Sequence, residues 1–133
     1  MSAFVQSVGS GKNKILELYR ANNPNSSTCE SFSKGKTICE VEIEDLAKYN
    51  YLYLIWKASS SSLSHTRQIP VNEIANINDT SLFASGDKKL MLNLTGNVLK
   101  IYNGSAVSTS SGNIQCYGGT YTADDMGTVF FLA

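Results

Sequence analysis

Short segments in which apolar and polar residues alternate dominate the chain, and clusters of Ser, Asn and Gly separate them. Between residues 37 and 43 the odd-numbered side chains are predicted to face a core, because positions 40 and 42 are glutamates. Successive side chains of a strand point to opposite faces. No long segment repeats its apolar residues at the helical period, so the pattern predicts an all-β fold.

Residues 50–58 differ from the other segments because both of their faces are apolar or aromatic. Leu52, Leu54 and Trp56 share one face, and the opposite face carries Tyr51, Tyr53 and Ile55. A strand that is apolar on both faces lies at the centre of a domain or meets a partner chain. We therefore predict an oligomer interface at Tyr51, Tyr53 and Ile55, with cover by another part of the same chain as the alternative.

Further strands are predicted at residues 3–8, 14–20, 65–71, 88–103, 113–117 and 128–132. Residues 88–103 suit a hairpin, because the dipeptide Gly96-Asn97 favours a two-residue turn. The resulting eight or nine short strands predict an antiparallel two-sheet β-sandwich, jelly-roll-like in layout. We expect a single domain at residues 1–133, with residues 1–12 as a flexible arm or an edge strand. The predicted core consists of Ile15 or Leu16, Val41, Ile43, Leu52, Leu54, Leu90, Leu92, Leu99, Ile101 and Phe131.

The remaining segments are predicted to be connections. Residues 44–48 and 72–78 suit single helical turns, and the serine-rich residues 59–64 and 105–112 suit exposed loops. Eleven basic and eleven acidic residues cancel without forming a block of one sign, which argues against binding to nucleic acid. The apolar runs are too short to span a bilayer, and residues 1–14 lack the apolar core of a secretion signal. We therefore predict neither membrane insertion nor export.

Few residues suit catalysis or metal binding. His65 is the only histidine, and its place after a serine run predicts a surface residue. Asp124 and Asp125 are adjacent carboxylates that could help to bind calcium, but they lack EF-hand spacing, which favours a solvated turn. The three cysteines show no C-x-x-C spacing and are predicted to be buried free thiols. We predict a protein that is not an enzyme and has no cofactor and no metal site.

Aromatic and polar residues near the end of the chain form the predicted ligand site. Its residues are Asn113, Tyr117, Tyr121, Asp124 and Asp125. The two tyrosines flank a Gly-Gly pair, where the backbone can turn sharply. A tyrosine ring can cover the apolar face of a sugar while Asn and Asp oxygens bind its hydroxyls. The alternative is that these are ordinary turn residues in a protein that only assembles.

Two segments carry a resemblance to a known class of protein. IEDLAKYNYLYLIW (residues 43–56) and TRQIPV (residues 66–71) resemble the small β-sandwich modules at the ends of tail fibres and in related virion proteins of tailed bacteriophages. ILELY at residues 15–19 and the hairpin at residues 90–102 fit the same layout. The resemblance implies a structural or adhesion role without catalysis, often in a homotrimer. The chain lacks the fibrous shaft that precedes such a tip, so we expect a small separate virion protein or a fragment.

Three functions are consistent with these observations. The first is a phage virion protein, made in the bacterial cytoplasm, that binds a host cell-surface glycan or docks on other virion proteins. The second is a cellular carbohydrate-binding or adhesion module, and the third is a small hydrolase. The lack of an export signal favours the first function over an extracellular lectin.

Overall fold

The computed structural model of the protein describes residues 15–21, 29–60, 65–75 and 78–133. These residues form the strands β1 (Leu16–Arg20), β2 (Cys29–Phe32), β3 (Thr37–Glu42), β4 (Tyr51–Trp56), β5 (His65–Pro70), β6 (Thr80–Ser85), β7 (Lys88–Thr95), β8 (Val98–Asn103), β9 (Ile114–Tyr117) and β10 (Val129–Leu132). One α-helical turn, α1, is Val71–Ile74, and 3-10 turns lie at Leu46–Lys48 and Ser110–Gly112. The predicted strand at residues 3–8 and the predicted arm at residues 1–12 lie outside the described residues.

The described strands pair in antiparallel fashion and form two four-stranded sheets and one two-stranded sheet. The first sheet has the order β1-β10-β4-β5, and the second has the order β3-β8-β7-β6. The small sheet pairs β2 with β9. Both main sheets contribute side chains to one shared core. This arrangement confirms the predicted all-β antiparallel sandwich.

The core between the sheets is built from alternate side chains of each strand. In β4, Leu52 and Leu54 are fully buried and Trp56 is 3% exposed, whereas the residues between them are half-buried. The predicted core residues that lie here are Ile43, Leu52, Leu54, Leu90, Leu92, Leu99 and Ile101. Leu16 and Val41 are half-buried and pack against this core. Each buried aliphatic side chain contributes roughly 1.5–3 kcal/mol, so this set holds the two sheets together.

Phe131 is buried, but not between the two sheets as predicted. Together with Val129 and Ala133 it forms a second cluster on the outer face of the first sheet, against which Ile15 also packs. Its neighbour Phe130 belongs to the main core instead. Successive side chains of β10 point to opposite faces, and both faces are buried. The prediction failed because a strand that is apolar on both faces gives no sign of which face is inside.

A register shift at the start of β3 reverses the predicted orientation of its first two side chains. The pairing of β3 with β8 is irregular between Thr37 and Cys39. As a result Ile38 is 8% exposed, whereas Thr37 is exposed and was predicted to face the core. A β-bulge changes which side chains face inward, because it inserts one extra residue into the strand. The predicted alternation holds from Cys39 to Ile43.

Two strands and part of one loop were not predicted. The sequence pattern does not reveal β2, which has only four residues, or β6, whose alternation is interrupted by a register shift between Ser81 and Phe83. The predicted exposed loop at residues 105–112 is exposed in its middle, but Ser105 is 2% exposed and Gly112 is buried. The side chain of Asn103 forms hydrogen bonds with both, which satisfies their buried polar groups. Of the predicted loop at residues 59–64, only residues 59 and 60 are described.

Candidate functional site

A cleft with a volume of about 940 Å³ opens at one end of the sandwich. Three segments form it: residues 43–51 between β3 and β4, the junction of β5 with α1, and the tight turn between β7 and β8. Because β4 and β5 belong to the first sheet and the other strands to the second, the cleft lies where the ends of the two sheets meet. Small-molecule sites usually have volumes of roughly 300–1,000 Å³, so this cleft is large enough for a ligand.

Apolar side chains form the buried part of the cleft, and polar side chains form its rim. Ile43 and Val71 are buried, whereas Leu46, Pro70 and Leu94 are half-buried. The polar side chains of the rim are Glu44, Asp45, Tyr49, Asn50, Tyr51, Asn72 and Asn97. The two tyrosines are half-buried and the other rim residues are exposed. An apolar floor with a few polar groups is the usual composition of a ligand site.

The segment between β3 and β4 is shaped by Asp45, which caps the 3-10 turn. The Asp45 carboxylate accepts a hydrogen bond from the N–H of Ala47 at 3.2 Å. Aspartate is favoured at such a position because it satisfies a backbone donor that has no partner within the turn. The N–H of Tyr49 donates to the carbonyl of Leu46 at 3.1 Å and closes the turn. Tyr49 is thereby fixed in the cleft wall.

Backbone hydrogen bonds connect the three segments to one another. The N–H of Val71 donates to the carbonyl of Asn50 at 2.9 Å, and the N–H of Ile43 donates to the carbonyl of Asn97 at 2.7 Å. The predicted two-residue turn at Gly96-Asn97 is present, since the residues on either side of it pair with each other. Gly96 has a φ of 61°, a left-handed conformation that glycine adopts without steric strain. The cleft walls are therefore part of the folded framework.

The cleft has a negative formal charge. Glu44 and Asp45 contribute two carboxylates, and none of the lining residues is Lys, Arg or His. Lys48 belongs to the same 3-10 turn, but its side chain is exposed and does not line the cleft. The amides of Asn50 and Asn97 on the rim offer both donors and acceptors. The arrangement suits a ligand with hydroxyl or amino groups and an apolar face.

The predicted interface residues Tyr51, Tyr53 and Ile55 lie on the outer face of the first sheet, and all three are half-buried. The ring of Tyr53 stacks on that of Phe131, with centroids 4.9 Å apart and planes inclined by 16°. The ring of Tyr51 lies 5.8 Å from that of Tyr53. Because Tyr51 also lines the cleft, this aromatic face continues to the cleft rim. Self-association through this face stays a prediction.

Tyr121 and Asp125, from the predicted ligand site, lie in the connection between β9 and β10. Asp125 pairs with the Nζ of Lys57, just after β4, at 3.1 Å. The hydroxyl of Tyr121 donates to the carbonyl of Ala21 at 2.7 Å, and the guanidinium carbon of Arg20 lies 4.3 Å from the centre of its ring. Both side chains therefore fasten the connection to the ends of β1 and β4. That end of β4 is roughly 17 Å from the cleft, the length of a six-residue strand.

The conformation of Tyr121 differs from that of an ordinary turn residue. Its φ is 56°, a left-handed value that is strained for a residue other than glycine. Burial raises the pKa of its phenol, although the positive charge of Arg20 acts in the opposite direction. The hydrogen bond to Ala21 and the contact with Arg20 explain how the strained conformation is held.

The other predicted ligand residues are spread along β9 and the following connection. Tyr117 ends β9, and Asn113 directly precedes it, so roughly 10–13 Å of strand separates them. Asp124 is exposed in the turn before Asp125. The structure thus brings Tyr121 and Asp125 into one connection but leaves Asn113 at the far end of β9. Ligand binding by these residues stays a prediction.

Three thiols and one imidazole are the most reactive side chains of the chain. The three cysteines are free thiols, but only Cys116 is buried as predicted, whereas Cys29 and Cys39 are half-buried. Burial raises the pKa of Cys39 to about 12 and also raises that of Cys116, which makes both weak nucleophiles at neutral pH. His65 is exposed at the start of β5, as predicted. Among the described residues, no three His, Cys, Asp or Glu side chains are placed to hold a metal ion.

Within residues 15–21, 29–60, 65–75 and 78–133, no helix is long and apolar enough to cross a bilayer.

The cleft was not predicted from the sequence. Its segments are separated by 18 residues along the chain in each case, between residues 51 and 70 and between residues 75 and 94. Each segment contains a recognisable turn signal, such as Asp45 before the helical turn or Gly96-Asn97 in the hairpin. The signals do not show that the three turns meet at the same end of the sandwich, because that depends on the strand order.

Comparison with known proteins gave no family: no family model, no curated protein and no solved structure matches the chain. The resemblance to phage β-sandwich modules therefore rests on the sequence pattern alone.

Proposed function

We propose that the protein is a non-enzymatic adhesion domain of a tailed-phage virion and that it binds a host cell-surface glycan in the end cleft. The observation that carries this proposal is the combination of Tyr49 and Tyr51, both half-buried, with a rim of amides and carboxylates. An aromatic ring can cover the apolar face of a sugar, while amide and carboxylate groups bind its hydroxyls. A second, smaller cleft beside Arg67 and Thr80 has a volume of only about 110 Å³ and contains no aromatic lining residue.

The virion setting comes from the resemblance, and the rest of the proposal follows from physical arguments. A single exposed sugar site gives weak binding, which an oligomer strengthens through multivalency. The outer face at Tyr51, Tyr53 and Ile55 supports self-association, with a homotrimer as the state that the resemblance implies. Since this face borders the cleft, an oligomer formed through it would place several clefts close together.

The proposal is tested with a glycan array, on which the wild type is compared with two matched tyrosine variants. Tyr49→Ala removes a ring from the cleft, whereas Tyr117→Ala removes a half-buried ring from the sequence-predicted site at the opposite end. We expect Tyr49→Ala to weaken binding by about two- to tenfold, since loss of an aromatic contact costs about 0.5–1.5 kcal/mol. Tyr117→Ala should bind like the wild type.

The alternatives give different results on the same array. If Tyr117→Ala loses binding and Tyr49→Ala does not, the ligand site lies in the connection after β9, and the cleft proposal is wrong. If the folded wild type binds no saccharide, glycan adhesion is wrong, and docking on other virion proteins becomes the better function. Far-ultraviolet circular dichroism of each variant shows whether the fold is retained.

A further inference from the structure

We infer that the glycan bound in the cleft carries a protonated amine, as a saccharide of unacetylated amino sugars does. This inference rests on the proposed function and specifies its ligand class. Its basis is the charge of the cleft, which contains the carboxylates of Glu44 and Asp45 and no basic lining residue. Opposite charges favour association, and like charges disfavour it, so the same groups disfavour an acidic saccharide.

The two carboxylates are available to a ligand in different ways. Glu44 is exposed, and within the described part of the chain it forms no ion pair. Asp45 uses one oxygen to cap the 3-10 turn, where the N–H of Ala47 donates to Oδ1. Its Oδ2 takes no part in that bond. A ligand amine on the rim can therefore approach both residues without breaking the cap.

Neighbouring charges do not cancel this effect. The basic residue of the 3-10 turn, Lys48, is exposed outside the cleft lining. On β8, Lys100 lies 5.0 Å from the ring centre of Tyr102 and does not line the cleft. On α1, Glu73 adds a further negative charge close to the junction with β5. None of these neighbours places a positive charge in the cleft lining, so the rim stays negative.

The size of the effect follows from the exposure of both carboxylates. An exposed ion pair changes an affinity by up to about fivefold, since solvent and salt screen the charges. Two carboxylates acting on one amine should together give about a tenfold preference over the same saccharide with its amines acetylated. Raising the salt concentration to about 1 M, where the screening length is about 3 Å, should reduce this preference.

Calorimetry with two defined probes tests the inference: a glucosamine tetrasaccharide and its fully N-acetylated form, at a pH where the free amines are protonated. The wild type should bind the glucosamine form about tenfold more tightly. The double variant Glu44→Gln, Asp45→Asn keeps side-chain size, and Asn caps a helical turn as well as Asp. It should lose the preference and bind both probes equally.

A matched control removes two negative charges elsewhere. Glu40 on β3 and Asp87 in the turn between β6 and β7 are both exposed and lie outside the cleft lining. The double variant Glu40→Gln, Asp87→Asn should keep the wild-type preference for the glucosamine form. If this control loses the preference as fully as the cleft variant does, net charge and not the cleft explains it, and the inference is wrong.

The remaining outcomes separate this inference from the proposed function. The charge argument is wrong if the wild type binds both probes equally, or if the preference persists in the cleft variant. The proposed function of the cleft is not affected by either result. If neither probe binds but the array detects another saccharide that depends on Tyr49, the ligand class is wrong and the cleft function stands. If the array detects no saccharide, both are wrong.

Discussion

Replacement of Asn103 by alanine should destabilise the fold strongly, because this residue is a fully buried polar hub. Its Nδ2 donates to the carbonyls of Phe32 and Gly112, each at 2.8 Å. Its Oδ1 accepts from the N–H of Ser105 at 2.9 Å and from the Ser105 hydroxyl. The side chain thereby connects the end of β8 with β2 and with the second 3-10 turn.

The magnitude follows from the groups that lose their partners. Asn103→Ala removes four hydrogen bonds, to two carbonyls, one N–H and one hydroxyl, and each buried group that is left without a partner costs about 1–2 kcal/mol. The expected loss of unfolding free energy is about 3–5 kcal/mol, a large part of the total stability of a domain of this size. The melting temperature should fall by roughly 10–20 °C.

Urea unfolding followed by tryptophan fluorescence measures this loss. Trp56 is the only tryptophan and is 3% exposed, so its emission reports directly on the core. Asn93→Ala is the matched control, because Asn93 forms exposed hydrogen bonds with Asp79 and Thr95. It should cost less than about 0.5 kcal/mol.

A charge variant at the same position tests the direction of the hydrogen bonds. Asn103→Asp keeps the size of the side chain but turns a carboxylate oxygen towards two carbonyls. Its destabilisation relative to the wild type should be large at neutral pH and smaller at about pH 4, where protonation restores a donor. A loss below about 1 kcal/mol for Asn103→Ala, with an unchanged urea dependence, would refute the reasoning.

Three further predictions concern the core, the thiols and the outer face. Leu92→Ala should cost about 2–5 kcal/mol in the same urea experiment, because Leu92 is fully buried, and a near-neutral result would contradict the core assignment. Burial on folding raises the pKa of the Cys39 thiol from 9.0 to about 12. The stability that the protonated thiol contributes is therefore fully present below about pH 9 and is lost as the pH rises towards 12. The urea concentration at the midpoint of unfolding should fall over that pH range, and it should fall less in the variant Cys39→Ala. If the wild type is an oligomer, Ile55→Lys should be a folded monomer when its mass is measured by light scattering. A wild type that is monomeric at high protein concentration would show that the predicted interface is wrong.

The elements that follow a simple period-two pattern could be predicted from the sequence. In β4 the alternation of Leu52 and Leu54 with aromatic residues corresponds to the two faces of the strand in the structure. The hairpin of β7 and β8 was predictable because Gly96-Asn97 marks its turn and the apolar residues on both sides share one face. These predictions needed only local information.

Other features depend on long-range contacts that no local pattern contains. The shift at Thr37 arises from pairing with β8, and the burial of Ser105 arises from the amide of Asn103. Phe131 was assigned to the wrong face because both faces of β10 are covered. The cleft depends on the strand order, which decides that three distant turns meet at one end.

Nuclear magnetic resonance mapping of the bound saccharide tests the central claim most directly. The assigned wild-type spectrum is titrated with the saccharide that binds most tightly on the array, and changes in the backbone amide signals are located in the structure. The account predicts that the largest changes fall on all three cleft segments, at Glu44, Tyr49, Asn72 and Asn97. Changes confined to residues 117–125, with the cleft signals unmoved, would contradict it.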